Sequence, residues 1–436
     1  MTCFRASPRL WRRGMILVGV AAVLSIVMPG APLSQLLLSE DAERYRLLSE
    51  NEVRLQRSQL FLQQYRASVG LPSPSLALNS SSLHPTNPNL NSYPVFPPMK
   101  GGSPKAPLTS DDSPMAEVGV TILTMARGRR MKKGRGVSYR TQYLTQSLAT
   151  LLRLLNDTSL TRTYTLTICN IDDRPHLFTE AEELGDIAPM FKRYVGRKPP
   201  VSVWEKLKQD YVFCMQQTLA QGARYALLVE DDAVAHPHLF HVLEHVLREV
   251  VEPRDARPVA YLKLYHPQRL LGYISPEVER LVELLALGVV VGAVLTLTCR
   301  RHRHHHPEPL HHDQQEKPVS LWLSWARWTV VAMVLALAVG RTNLMELRRL
   351  SPQLYQVTPT PSCCIPAVLY TRHGALGLSQ YLLNVTCTAS RSTDIRMDEF
   401  RASSGARGLQ IQPNLFSHIG MLSSLRTKEV NPLIVS

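Results

Sequence analysis

Tyr225-Ala226-Leu227-Leu228-Val229-Glu230-Asp231-Asp232 decides how this chain of 436 residues is read. Five apolar residues in a row predict a buried strand, and three adjacent carboxylates end it. Two similar strands come earlier. Val118-Gly119-Val120-Thr121-Ile122-Leu123-Thr124 is one, and Tyr164 to Cys169, running into Asn170-Ile171-Asp172-Asp173, is the other. Helical spacing fills the gaps, with leucines at 144, 148, 151, 152 and 155 over about Thr141 to Leu155, and again over about Trp204 to Gln221. Strand, helix, strand, helix, strand implies an α/β fold with a parallel sheet. Ligands of such sheets bind beyond the carboxyl ends of the strands. Thr124 to Arg127, Asn170 to Asp173 and Glu230 to Asp232 are therefore expected at one site.

Three neighbouring carboxylates repel each other unless a cation or a donor compensates them. A hard divalent ion such as Mg²⁺ or Mn²⁺ takes oxygen ligands, needs only one or two carboxylates, and completes its shell with substrate phosphates. The plainer alternative is a solvated acidic turn whose Asp caps the next helix. Its place at the end of a third parallel strand favours the metal.

With 44% hydrophobic residues the chain can bury a sizeable core, which excludes a wholly disordered protein. The net charge of +14 first suggests a polyanion. It is concentrated in two places, however: Arg5, Arg9, Arg12 and Arg13, and the seven bases between Met125 and Arg140. No nucleic-acid-binding signature accompanies them, and a nucleic-acid partner is not expected. The first group precedes an apolar run from Met15, which is either an anchor or a cleaved signal. Leu281 to Cys299 and Val319 to Gly340 are each long enough to cross a bilayer, although Glu283 and Arg327 lie inside them. The loop between them carries Arg300, Arg301, Arg303 and Lys317, so the positive-inside rule places it and the N-terminus in the cytosol. The rest is then lumenal. The six histidines of the 300–318 loop could bind metal, but unspaced histidines beside prolines read as a solvated linker.

The expected organisation is a basic tail (1–14), an anchor (15–38), a stem helix (39–69) and a Pro/Ser-rich linker (70–114). A catalytic domain follows in two parts (115–280 and 341–436), split by spans at 281–299 and 319–340 around the cytosolic loop 300–318. Sequons at Asn79, Asn156 and Asn384 agree with a lumenal glycoprotein. Five cysteines would share that oxidising compartment: Cys169, Cys214, Cys363, Cys364 and Cys387. Five is odd, so at most two bridges form and one thiol stays free; spacing does not give the pairing.

Several blocks carry a resemblance. Val118 to Arg127, Lys208-Gln209-Asp210-Tyr211, Tyr225 to Asp232 and Gln412 to Gly420 with Ser423-Ser424-Leu425 resemble the GT-A-fold glycosyltransferases related to the N-glycan-branching N-acetylglucosaminyltransferases. Tyr261-Leu262-Lys263-Leu264-Tyr265-His266-Pro267 and Glu346-Leu347-Arg348-Arg349-Leu350-Ser351-Pro352, with the hairpin inside the domain, are similar to the Golgi GPI-anchor N-acetylgalactosamine transferases. The resemblance covers about residues 115–436. It implies a Rossmann-like, mostly parallel sheet, Golgi membrane residence, and UDP-GalNAc and Mn²⁺ bound at the acidic triplet. Asp232 would be the metal ligand, and Glu230 and Asp231 would position ribose and metal-bound water. Thr124, Arg127 and His418 would join them around the donor. Asp394 would be the general base of an inverting transfer to the mannose of GPI-anchored proteins, with Asp398 one turn later as the alternative. Beside the bilayer, the hairpin would hold the active site at the height of such a lipid-linked glycan. Two other readings stay open: an inactive membrane-anchored adaptor of the same fold, and an N-glycan-directed GlcNAc transferase.

Overall fold

The computed structural model describes residues 39–72, 116–127, 139–253, 257–273, 278–305, 320–423 and 430. The 15–38 segment, Asn79 with most of the linker, most of the basic loop and most of the His-rich loop lie outside the described residues.

Each apolar run becomes a strand of one sheet. β1 (Val118–Thr124), β2 (Tyr164–Asn170) and β4 (Tyr225–Glu230) pair in parallel, with β1 between the other two. The short β3 (Met190–Lys192) extends β2. Alternate residues of β4 face opposite layers: Leu227 and Val229 pack with Leu144, Leu148 and Leu151 of one helix, and Ala226 and Leu228 pack with Tyr211, Cys214 and Met215 of another. A strand covered on both faces has no solvent side, hence its unbroken apolar sequence.

Beyond β4 the order no longer follows the sequence. The eight-stranded sheet runs β3-β2-β1-β4-β8-β6-β9-β7, where β6 is Val259–Lys263, β7 Gln356–Pro359, β8 Ala367–Thr371 and β9 Arg407–Gln412. β8 is antiparallel to both neighbours and β7 to β9, while β6 and β9 are parallel. The sheet is thus mixed but mostly parallel, and β1, β2, β4, β6 and β9 end at one edge. A separate ribbon pairs β5 (Ala233–Ala235) with β10 (Phe416–His418), which brings His418 opposite Ala233.

The segment expected as a stem is a helix, α1 (Glu40–Ser68). Its leucine stripe is not left to solvent. Leu55 is fully buried, and Phe61 and Leu62 join the main core beside α2 (Tyr143–Leu155). Asn51 and Arg54 both bond the Gln146 side chain. The stem helix is therefore part of the folded unit. Cys169 and Cys214 form a disulfide between β2 and α3 (Val203–Ala220), Cys363 and Cys364 form a second, and Cys387 is a buried free thiol. Asn156 and Asn384 are exposed just after helices.

Two long apolar helices follow β6, α4 (Val278–His305) and α5 (Leu321–Val339). By length and composition Val278–Arg301 and Leu321–Val339 are candidate membrane spans, and little of either is buried in the protein. They pack as an antiparallel hairpin: a Cβ on Gly288 would strike Met333, and one on Gly292 would strike Thr329. Glu283, near the start of the first span, is neutralised by Arg341 at 2.8 Å and faces Arg348 at 3.7 Å. Arg327 lies exposed on α5, seven residues along the helix, close enough to its end for the stem to reach the interface.

Leu55→Ala should lower stability by about 2–5 kcal/mol, the cost of an unfilled core site. Thermal unfolding of the full chain measures it. An unchanged midpoint would mean that α1 is not part of the cooperative unit.

Candidate active site

The ends of β1 and β4 are adjacent in register, with Leu123 opposite Glu230. One residue further, the Asp231 backbone N–H donates to the Leu123 carbonyl, so the acidic triplet is bound to the first strand as it leaves the second. Thr124 Oγ1 donates to Asp231 Oδ2 at 2.8 Å. Arg127 then turns back over both carboxylates: its Nη2 is 2.5 Å from Asp231 Oδ1 and its Nη1 2.7 Å from Asp232 Oδ2. His418 Nε2 completes the group, 3.3 Å from Asp232 Oδ2. Thr124, Arg127, Glu230, Asp231, Asp232 and His418, assigned to one site from sequence, do converge.

Both aspartates are 2% exposed, so their charges depend on these cations. Burial raises Asp231, against the pull of Arg127. For Asp232 burial also acts upward, but Arg127 and His418 outweigh it and hold the carboxyl well below its usual range. The same pairing raises His418 despite its burial. Glu230 is pushed up to about 7, by burial first and by Asp232 next. Arg127 and His418 thus favour the ionised form of Asp232, while burial disfavours that of Glu230.

Sequence reading missed part of this frame. The Tyr143 ring lies under the Arg127 guanidinium at 5.2 Å, and its hydroxyl accepts from the N–H groups of Met421 and Leu422. Arg127 Nη1 donates to the Leu422 carbonyl. A side chain on Gly420 would stand 2.2 Å from Asp232 Oδ2, so only glycine lets the C-terminal block close over the triplet. A glycine two residues after His418, at the end of the conspicuous C-terminal block, was the available signal. Lys208 and Asp210 instead serve structure: Asp210 is buried between Lys206, Arg193 and Tyr194, and Lys208 bonds the Val385 carbonyl.

Asp394 stands apart from the triplet. It opens α7 (Thr393–Ser404), which follows α6 (Arg372–Leu383). Its Oδ2 accepts from the Cys364 N–H at 3.2 Å, and Oδ1 from Ser392 Oγ and the Ile395 N–H. The Cys363–Cys364 pair is itself held by Lys263, whose Nζ donates to the Cys363 and Pro361 carbonyls at 2.8 and 3.2 Å. Lys263 ends β6, fully buried and pushed down to about 8 by that burial, with Asp398 and Asp394 pulling the other way. It thus links the edge of the sheet to the Asp394 loop. Asp398 has one oxygen near Tyr261 and Arg401, and its other is buried without a partner.

Asp232 Oδ1 is also buried and unpartnered. Among the described residues no three His, Cys, Asp or Glu side chains converge as a metal cage. The residues present fit a hard ion that takes one or two carboxylate oxygens here and the rest from a bound diphosphate.

A mostly parallel α/β sheet with an acidic triplet closing a central strand defines a GT-A-like transferase. Residues 118–417 match the family model described as GPI-N-acetylgalactosamine transferase PGAP4, and the chain belongs to this family of glycosyltransferases. Among solved structures, CMP:2-keto-3-deoxy-manno-octonic acid synthetase complexed with CTP is 11% identical, covering 72% of this chain and 93% of its own at a TM-score of 0.32. A likeness that low carries no argument here.

Arg127→Ala should cost about 3–5 kcal/mol, because it leaves buried carboxylates uncompensated. Thermal unfolding should show Mn²⁺ restoring part of that loss relative to EDTA. Absence of any Mn²⁺ effect would count against a metal at the triplet. For Lys263 the sign follows from a lowered amine: the native state sheds its proton first, so the burial penalty disappears as pH rises. Relative to Lys263→Met, wild type should gain on the order of 3 kcal/mol between pH 8 and 10.5, read from unfolding midpoints across that range.

Proposed function

We propose that the protein transfers N-acetylgalactosamine from UDP-GalNAc to a mannose of the GPI core, with inversion at the anomeric carbon, in the Golgi lumen. The observation that carries the chemistry is the buried Arg127–Asp231–Asp232–His418 group with its unpartnered Asp232 oxygen, at the edge where parallel strands end. Family membership supports the GPI glycan as acceptor.

Asp232 would hold Mn²⁺, which when bound supplies the positive charge that a departing diphosphate requires. His418 Nε2 stands 3.3 Å from Asp232 Oδ2, and that carboxylate favours its protonated form, so its imidazole would present a further donor beside the diphosphate. Thr124 and Arg127 fix Asp231 so that its carboxylate faces the donor site in one orientation. At the acceptor, Asp394 takes the hydroxyl proton. Asp394 and Asp398 are both partly buried, but the Asp394 carboxylate is oriented by three donors, whereas Asp398 is covered by Tyr261 and Arg401. That difference in orientation favours Asp394 as the base. The two candidate spans support a site at the bilayer, where a lipid-linked acceptor would be found.

UDP-GalNAc transfer to GPI acceptors by the purified full chain tests this reading. Asp394→Asn should lower kcat by about 10²–10⁴ while the chain stays folded, its unfolding midpoint falling only slightly because the amide nitrogen cannot accept one of the three bonds, and Asp232→Asn should abolish the Mn²⁺ dependence. If Asp398→Asn is the inactive variant and Asp394→Asn is not, the base is reassigned. If wild type and Asp232→Asn turn over equally, the metal-assisted mechanism is wrong.

A further inference from the structure

Immediately after α5 the chain forms one turn of helix, Arg341–Met345, and then the 3₁₀ turn Glu346-Leu347-Arg348-Arg349-Leu350. Residues three apart eclipse in a 3₁₀ turn, so Leu347 and Leu350 share one side. They are 62% and 81% exposed. The arginines between them point the other way, into the protein. Arg349 donates to the Asn414 carbonyl at 2.9 Å and pairs with Glu346, while Arg348 reaches Glu283. A turn facing water would place its leucines inside and its arginines outside. This one is inverted.

The turn is also fixed at the mouth of the hairpin. Glu283 lies in the second turn of α4 and is bonded by both Arg341 and Arg348. A second leucine-bearing turn, Gln268–Leu270, is fastened to the same place: Arg280 of α4 donates to the Leu270 and Gly272 carbonyls, and Arg341 to the Leu271 carbonyl. Leu270 is 43% exposed. Exposed apolar side chains thus flank the point where both candidate spans, themselves bearing exposed apolar residues, meet the folded domain.

We propose that Leu270, Leu347 and Leu350 insert into the bilayer leaflet next to the catalytic domain, making the lipid surface a direct partner of that domain. The proposal rests on α4 and α5 being membrane spans. Its consequence for the site runs through Arg349. Asn414, whose carbonyl Arg349 holds, brackets His266 with its side chain at 3.0 and 2.7 Å and leads directly into the strand carrying His418. The lipid-seated turn and the donor site therefore share one backbone segment, and the active site is held at a fixed height.

The test uses the full chain in lipid nanodiscs, with Cys3 and Cys299 replaced by alanine and one environment-sensitive fluorophore on a new cysteine. Labels at Leu347→Cys and Leu350→Cys are compared with Val290→Cys, 61% exposed within the first span, and Leu60→Cys, 57% exposed on α1. Quenching comes from lipids bearing a nitroxide near the headgroup and, separately, from aqueous iodide. The proposal expects blue-shifted emission and nitroxide quenching at 347 and 350, with iodide quenching confined to Leu60→Cys. Labels at 347 and 350 that behave like Leu60→Cys overturn it while Val290→Cys still reports lipid. Shielding from iodide without lipid quenching points to a protein surface, a second copy included, and also overturns it. Failure of Val290→Cys to sense lipid removes the membrane reading itself.

Discussion

Everything at the catalytic edge depends on one guanidinium. Two aspartates at the end of a buried strand cannot both be ionised without a counter-charge, and Arg127 provides it from the neighbouring strand. Its other contacts fix where it can stand: an aromatic ring beneath it and the Leu422 carbonyl beside it. The ends of β1 and β4 and the last block of the chain are thereby joined through a single side chain. A ligand that brings its own charge, such as a metal with a diphosphate, must exchange for or add to this arrangement. Such an exchange would couple donor binding to the position of residues 418–422.

The sheet explains how residues so distant in sequence share an edge. β8 separates β4 from β6, and β9 lies on the other side of β6, although both come after the hairpin. The hairpin therefore interrupts one domain and does not divide two. Because β6 and β9 are parallel, Lys263 and Gln410 stand side by side; Lys263 holds the Cys363–Cys364 pair that bonds Asp394, and the segment after β9 carries His418.

Much of this was legible in the residues. β1 coincided with its apolar run, and β2 and β4 extended one residue beyond theirs, because strands buried on both faces need continuous apolar sequence. The acidic triplet was legible because buried strands rarely end in three charges. What escaped notice has a common cause: it is set by neighbours far away in the chain. Lys263 reads as a polar interruption in a strand until β9 and the Cys363–Cys364 loop are placed around it. Tyr143 reads as the first residue of an amphipathic helix until Arg127 stacks on it. The stem helix was recognised, but its docking depends on a surface supplied by α2, which its own periodicity does not reveal.

The interleaved strand order also sets how the protein must be made. When synthesis reaches the first span, β6 exists but neither of its partners does, and β4 has one open edge. The hairpin is made while that half-sheet is unfinished, and β8 must later enter between two strands already present. Non-local pairing of this kind is slow, and exposed strand edges associate with whatever is near. The protein's dependence on its biosynthetic environment is thus set by its topology, ahead of any question of catalysis.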